Sequence, residues 1–208
     1  MTVHEIKHPL ALEKLAILRD KKTGSDIFSK NLEELSLILF LEATKNLTTK
    51  KLKVETPFKE IEGDFIKKEI LLVPILRAGI GMIPLIRKFY PKTHVGMIGL
   101  KRDEHILKPI TYYVNLPKNL ENYSVFILDP MLATGGSIIK TLEILAGYNV
   151  KPDAVISIIS APEGIKSVME SVTNIDIFTV AVDEKLNENG YIVPGLGDAG
   201  DRFFNTEE

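Results

Sequence analysis

The sequence predicts an α/β fold, a mostly parallel central sheet with helices on both faces. The first observation is a set of short apolar runs at residues 70–76, 95–100, 125–128, 154–159 and 175–182. They are rich in branched residues and too short for buried helices, so they read as strands, several of them covered on both sides. Stretches of helical period lie between them, which is the crossover that parallel strands require. The third observation concerns the residues just past the runs: Arg77-Ala78-Gly79 after one, Asp129 after another. In a parallel sheet such positions share the carboxyl edge, where ligands bind.

The chain has 208 residues and reads as one domain over 1–208, able to bury about 70% of its unfolded surface. Its expected parts are N-terminal helices over 8–47, a core over about 50–182, an arm over about 101–115 and a hood over about 183–208. The 26 basic and 28 acidic residues are interspersed, with a net charge of −2, which argues against a nucleic-acid groove. Cysteine is absent, so disulfides, thiolate metal sites and a Cys nucleophile are excluded. No apolar run approaches the ~20 residues that span a bilayer. The opening Met-Thr-Val-His-Glu-Ile-Lys lacks an apolar signal segment, and a cytoplasmic location without membrane contact is expected.

Residues 8–20 fit a short amphipathic helix with Leu12, Leu15, Ile17 and Leu18 turned inward. His8, before Pro9, reads as a surface or packing residue, because no acid or second His lies close enough to form an obvious ligand pair. A longer helix from Ser25 puts Phe28, Leu32, Leu35, Leu39 and Ala43 on one face, with Ile38 beside them. These two helices read as a cover for the sheet or a subunit interface, without chemistry of their own. Alternation at Leu52, Val54 and Thr56 marks a half-buried or edge strand, and Gly63-Asp64 a turn. Residues 70–76 form a central strand with a bend near Pro74, and Ile80, Met82, Ile83, Leu85 and Ile86 supply the next helix. Strand 95–100 runs into Lys101-Arg102-Asp103-Glu104, and residues 105–114 are expected to project as an arm or hairpin over the site. Charged loops at the mouth of an active site commonly close on substrate. Further on, Ser160-Ala161-Pro162-Glu163 has capping-box spacing, with proline in the first turn of a helix over 163–171.

Everything is organised around residues 125–137. Val125-Phe126-Ile127-Leu128 ends in Asp129, and residues 133–137 make a turn into a helix carrying Ile138, Leu142, Ile144 and Leu145. Unpaired N–H groups at that helix start form an anion site, and the glycines let a phosphate come close. The Asp129 carboxylate suits an acceptor of hydroxyl hydrogen bonds. A ligand with a phosphate and vicinal hydroxyls, such as ribose 5-phosphate, fills both halves. Arg77 at the same edge is either a rim salt bridge or a fork for a diphosphate. Residues 195–200 match G-x-G-x-x-G, but no helical pattern and no acid ~20 residues downstream accompany it, so a dinucleotide site is refused.

The stretch Asp-Pro-Met-Leu-Ala-Thr-Gly-Gly-Ser (129–137) resembles the 5-phosphoribosyl-1-pyrophosphate (PRPP) loop of type I phosphoribosyltransferases. Its form, with Pro130 where the commoner loop has a second acid, is similar to that of the uracil phosphoribosyltransferases. Pro-Ile-Leu-Arg-Ala-Gly (74–79) resembles their pyrophosphate loop, and His8-Pro9-Leu10, Glu42-Ala43-Thr44 and residues 190–201 match in the same order. The resemblance implies the type I phosphoribosyltransferase fold and conversion of uracil and PRPP to UMP and diphosphate. It implies PRPP contacts from Arg77, Arg102, Asp129, Pro130, Met131, Leu132, Ala133, Thr134, Gly135, Gly136, Ser137 and Asp198. Arg102 would come from the closing arm; without the resemblance the charged run there reads as a solvated surface. Tyr191, Ile192, Gly197, Asp198 and Ala199 are implied as the uracil pocket, the backbone matching two carbonyl acceptors and the N–H between them. Cytosine would set a donor against a donor there. The catalytic residues implied are Arg102, Asp129 and Asp198, the last also a candidate for taking the uracil N1 proton. Magnesium is implied as the PRPP complex, without protein metal ligands. A homodimer or homotetramer is implied, and in many members activation by GTP. The alternatives are a phosphoribosyltransferase for another base and an RNA-binding regulator on the same fold.

Overall fold

A computed structural model describes residues 2–102, 109–171 and 175–206, with Arg102 described by its backbone alone. The first element, β1 (Val3–Glu5), is a three-residue strand that no periodicity announces. Helix α1 (Pro9–Arg19) starts at His8, whose Nδ1 accepts a hydrogen bond from the Leu10 N–H at 3.2 Å. Its buried stripe is Ala11, Leu15 and Leu18. Leu12, expected inward, is 44% exposed, because the 11–15–18 spacing rotates position 12 off that face. Helix α2 (Ser25–Thr44) buries Phe28, Leu32, Leu35 and Leu39 as its pattern predicts.

Strands β2 (Thr49–Glu55) and β3 (Glu60–Ile66) form an antiparallel ribbon apart from the main sheet. The turn expected at Gly63-Asp64 lies instead at 56–59, where the Thr56 hydroxyl accepts the N–H groups of Phe58 (3.3 Å) and Lys59 (3.1 Å). Gly63 sits inside β3, where an added Cβ would lie 3.0 Å from Val54 Cγ2. It is a close-packing glycine of the ribbon.

Strand β4 (Glu69–Leu76) leads to a 3-10 turn (Ala78–Met82) and then α3 (Pro84–Phe89), where one helix was expected. Pro84 divides them, since it has no N–H to return to the Ile80 carbonyl and its ring crowds that carbonyl. The Ile83 N–H bonds Ile80 O instead, at 3.2 Å. Strands β5 (His94–Val95) and β6 (Met97–Arg102) come next, and β7 (Pro109–Asn115) returns antiparallel to β6. Within the arm expected over 101–115, β6 and β7 pair antiparallel at the sheet edge, and residues 103–108 lie outside the described residues.

The remaining elements are β8 (Tyr123–Leu128), β9 (Met131–Leu132), α4 (Gly136–Gly147), β10 (Ala154–Ile156), β11 (Ile159–Ser160), α5 (Pro162–Ser171), β12 (Asp176–Thr179), β13 (Ala181–Val182), β14 (Lys185–Leu186), β15 (Ile192–Val193) and α6 (Ala199–Phe204). The main sheet runs β1-β12-β10-β8-β4-β6-β7, with β5 beside β4, and every pair but β6–β7 is parallel. Alternate residues of the strands feed two cores. Leu72, Phe126 and Ile156 pack with the α2 stripe, while Leu71, Val125, Ile127 and Val155 pack with Ile138, Leu142 and Val168 of α4 and α5. This is the doubly covered parallel sheet that the apolar runs predict.

Beyond the carboxyl edge β9, β11 and β13 form a second small parallel sheet. The capping pair expected of Ser160 and Glu163 does not form. Ser160 belongs to β11 and its buried hydroxyl bonds Thr179 Oγ1 at 3.1 Å, while Glu163 Oε1 accepts the Leu186 N–H at 3.0 Å. The glycine-rich tail does enter a helix, the six-residue α6, contrary to the helix-free segment expected. Among the described residues no helix is long and apolar enough to cross a membrane.

Candidate active site

Neighbouring strands β4 and β8 are in register up to Pro74 opposite Leu128, so Arg77 and Asp129 leave the sheet at the same edge. An added Cβ on Gly79 would lie 2.6 Å from Leu128 O, so the Arg77 loop lies directly against the strand tip that presents Asp129. Arg102, the last residue of β6, leaves that edge from the other side of β4.

Behind Asp129 the loop wraps a cavity of about 60 Å³ lined by Asp129, Met131, Leu132, Ala133, Thr134, Gly135, Gly136, Ser137 and Ile138. A cavity of about 10–15 Å³ already holds one water, so the space takes a group of several heavy atoms, as a phosphate is. Gly135 caps α4 with φ of 83°, a left-handed conformation that favours glycine. The loop backbone is fastened to β11: Pro130 O accepts the N–H groups of Ile158 (3.0 Å) and Ile159 (3.2 Å), and Leu132 O that of Ala161 (2.8 Å). Pro130 and Leu132 are themselves buried, which leaves the loop backbone as their contribution. Gly164 of α5 presses on the other side, where an added Cβ would lie 2.1 Å from Ala133 O. Ser157 donates to Asp129 O at 2.6 Å. Burial pushes the Asp129 carboxyl up to about 7, against a modest opposing pull from the Met131 N–H.

The Arg77 guanidinium, more than half exposed, donates to Asp201 Oδ1 at 2.9 Å. Asp201 also accepts the Thr206 hydroxyl at 2.7 Å, and that bond above all, with Arg77, holds its carboxyl below the usual range. Asp198 caps α6, its Oδ1 accepting the Asp201 N–H at 2.9 Å. Of the two readings of Arg77, the rim salt bridge is the one present here, the side chain being paired with Asp201 beside the sheet edge.

Tyr191, Gly197 and Asp198 line a second cavity of about 600 Å³, together with Lys21, Thr23, Gly24, Ser25, Asp201 and Arg202. Ile192 and Ala199 are buried, so their side chains belong to the core and only their backbone can serve a ligand. The two cavities share no lining residue; Arg77, which lines neither, ties its loop beside the Asp129 strand tip to Asp201 of the larger cavity. The α1–α2 turn, between the two helices for which no chemistry is expected, borders this cavity. Arg202 secures it, donating to Leu18 O, Leu196 O (2.7 Å) and Asp20 O (2.7 Å) with its guanidinium 4.4 Å from the Phe28 ring centroid. Gly164, Ser157 and the turn at 23–25 are not among the residues the sequence singles out, and Asp201 is only the last residue of the matching stretch 190–201. Only the Thr-Gly-Ser of that turn carried a local signal, and it read as a helix start.

Residues 5–206 match the family described as uracil phosphoribosyltransferase. The uracil phosphoribosyltransferase of Ureaplasma parvum is 47% identical over 203 residues, covering 97% of this chain and 98% of that one. That of Clostridium beijerinckii is 46% identical over 206 residues, 99% of each chain. A solved protein of Aquifex aeolicus superposes with a TM-score of 0.91 at 39% identity, covering 98% of each chain. An adenine phosphoribosyltransferase from Trypanosoma brucei, at 11% identity and a TM-score of 0.58 over 90% of this chain and 86% of that one, shares the fold alone. On the full-length match, the chain belongs to the uracil phosphoribosyltransferase family.

Proposed function

We propose that the protein moves the 5-phosphoribosyl group of PRPP to uracil, giving UMP and diphosphate in pyrimidine salvage. The observation that carries this reading is the adjacency of Arg77 and Asp129 on neighbouring strand tips, with a phosphate-sized cradle directly beyond Asp129. Family membership supports uracil as the base.

In this assignment the backbone of residues 129–137 holds the 5-phosphate, and Asp129 accepts the ribose hydroxyls. Remote binding energy thereby positions C1. As the C1–O bond to diphosphate lengthens, the ribose gains oxocarbenium character and Arg77 and Arg102 take up the leaving charge. To reach the diphosphate Arg77 exchanges the Asp201 carboxylate for it. The backbone at Ile192, Gly197 and Ala199 reads the base beside Tyr191, and Asp198 is the candidate for the N1 proton. Replacing Arg102 with Ala is expected to lower kcat on the order of 10²-fold, as for loss of one charge-stabilising donor; unchanged turnover would remove Arg102 from the mechanism.

Magnesium enters as the PRPP complex in this reading. The donor set fits such an ion, because Asp129 is the single carboxylate of the loop and Pro130 stands next to it. Bound there, the ion would neutralise charge on the departing diphosphate. A dimer or tetramer is supported by the β2–β3 ribbon, which leaves Leu52, Phe58, Ile61 and Phe65 exposed. Activation by GTP and a cytoplasmic location, the latter open to cell fractionation, complete the proposal.

One experiment tests most of it: incubation with PRPP and labelled uracil, cytosine, adenine or orotate, with and without magnesium and GTP, on protein sized by light scattering. UMP formed only with magnesium, and faster with GTP, is expected from an oligomer. Labelling of another base in preference to uracil overturns the reading.

A further inference from the structure

If backbone groups read the base, specificity rests on whatever holds that backbone still. The residues between Ile192 and Gly197 show what does. Gly195 donates its N–H to Asp183 Oδ2 at 2.9 Å, and its carbonyl accepts from Arg19 Nη1 at 2.8 Å. The same Nη1 lies 2.8 Å from Asp183 Oδ2, and Nη2 bonds Asp183 Oδ1, so the guanidinium grips the carboxylate with both forks. Arg19 ends α1, 164 residues before Asp183 and 176 before Gly195. The Asp183 side chain is 3% exposed beneath the turn, and Arg19 is half-buried over it. An added Cβ on Gly195 would lie 2.1 Å from Ile192 O, so the turn is drawn tight onto a position assigned to the base.

We infer that Arg19, clamped to Asp183 and Gly195, is a positioning residue that sets base specificity by fixing the 192–199 backbone from the end of α1. It touches neither substrate in this assignment and acts through the turn. The inference rests on the proposed reading of that turn as the uracil pocket. Lysine at position 19 keeps the charge but cannot span both carboxylate oxygens and the Gly195 carbonyl in one plane. Gly195 then loses one of its two anchors, and small misplacements of hydrogen-bonding groups are costly in a site that discriminates by polar pairing.

The test is steady-state kinetics on wild type, Arg19→Lys and Asp183→Asn, with thermal unfolding alongside. The second variant keeps the carboxylate shape and an acceptor, and serves if the first does not fold. Expected are a KM for uracil raised about tenfold or more, a KM for PRPP within about twofold of wild type, and a lower preference for uracil over cytosine. A folded variant with a lowered Tm and both KM values unchanged overturns the inference, as does an equal rise in both. Wild type that fails to convert uracil overturns the functional reading itself, a separate outcome that wild type alone reveals.

Discussion

Asp129→Asn is expected to lower kcat/KM for PRPP by about 10²-fold or more, the scale of losing one preorganised charged group, and at the same time to raise stability at pH 8. Burial lifts the Asp129 carboxyl from 3.8 to about 7. Below about 4 it is protonated in the native and unfolded chains alike and has no effect on their balance. Between about 4 and 7 the native chain binds the extra proton, so stability falls as pH rises. Above 7 the native chain carries a half-buried, poorly solvated carboxylate, at a cost of up to about 4 kcal/mol. Asparagine has the same shape and no charge, so the gain is greatest at pH 8 and vanishes near pH 4. Urea melts at pH 4, 6 and 8 measure it. A variant less stable than wild type at pH 8 would show that the carboxylate is held by partners other than the Met131 N–H. The same titration predicts that wild-type kcat/KM for PRPP rises through about pH 7, as the hydroxyl-accepting form appears.

An acid expected to cost its own fold stability is one reason the centre of this site is legible in the residues alone. Nothing about folding asks for an acid directly after Val125-Phe126-Ile127-Leu128. Such local violations of packing logic announce chemistry, and Arg77 after its apolar strand is of the same kind. Residues that hold the site are not legible, because their reason for being there lies far along the chain. Arg19 reads as the basic last turn of a helix until Asp183 and Gly195 meet it in space. Ser160 and Glu163 have capping-box spacing but find better partners in Thr179 and Leu186, elements that adjoin only in the fold. Leu12 shows the limit of helical period: with leucines, isoleucines and alanines on several sides of α1, only packing decides which stripe turns in. Gly63 reads as a turn because a glycine before an aspartate looks the same in a hairpin loop and in a crowded strand.

Gly164 is the plainest case, and its replacement by alanine carries the second large effect. Sequence offers only a glycine in the first turn of a helix, where alanine ordinarily stabilises by about 0.5–1 kcal/mol. Here the added Cβ would stand 2.1 Å from Ala133 O, 2.9 Å from Ala133 C and 3.1 Å from Leu132 O. All three are backbone atoms and cannot rotate aside. The loop cannot drift freely either, since Leu132 O and Pro130 O are held by Ala161, Ile158 and Ile159. Relief therefore requires α5 or the phosphate cradle to move by more than about 1 Å, and a shift of that size can cost about 10²-fold in a positioned reaction. Gly164→Ala is expected to raise KM for PRPP by about that factor, with KM for uracil little changed, and to lose about 1–3 kcal/mol of stability as an overpacked site does. Gly147, at the end of α4 with nothing within 4 Å of an added Cβ, is the matched control, and Gly147→Ala should leave both KM values in place. Should Gly164→Ala bind PRPP as wild type does, the backbone of residues 133–136 is not what holds the 5-phosphate, and the cradle must be sought elsewhere on the rim.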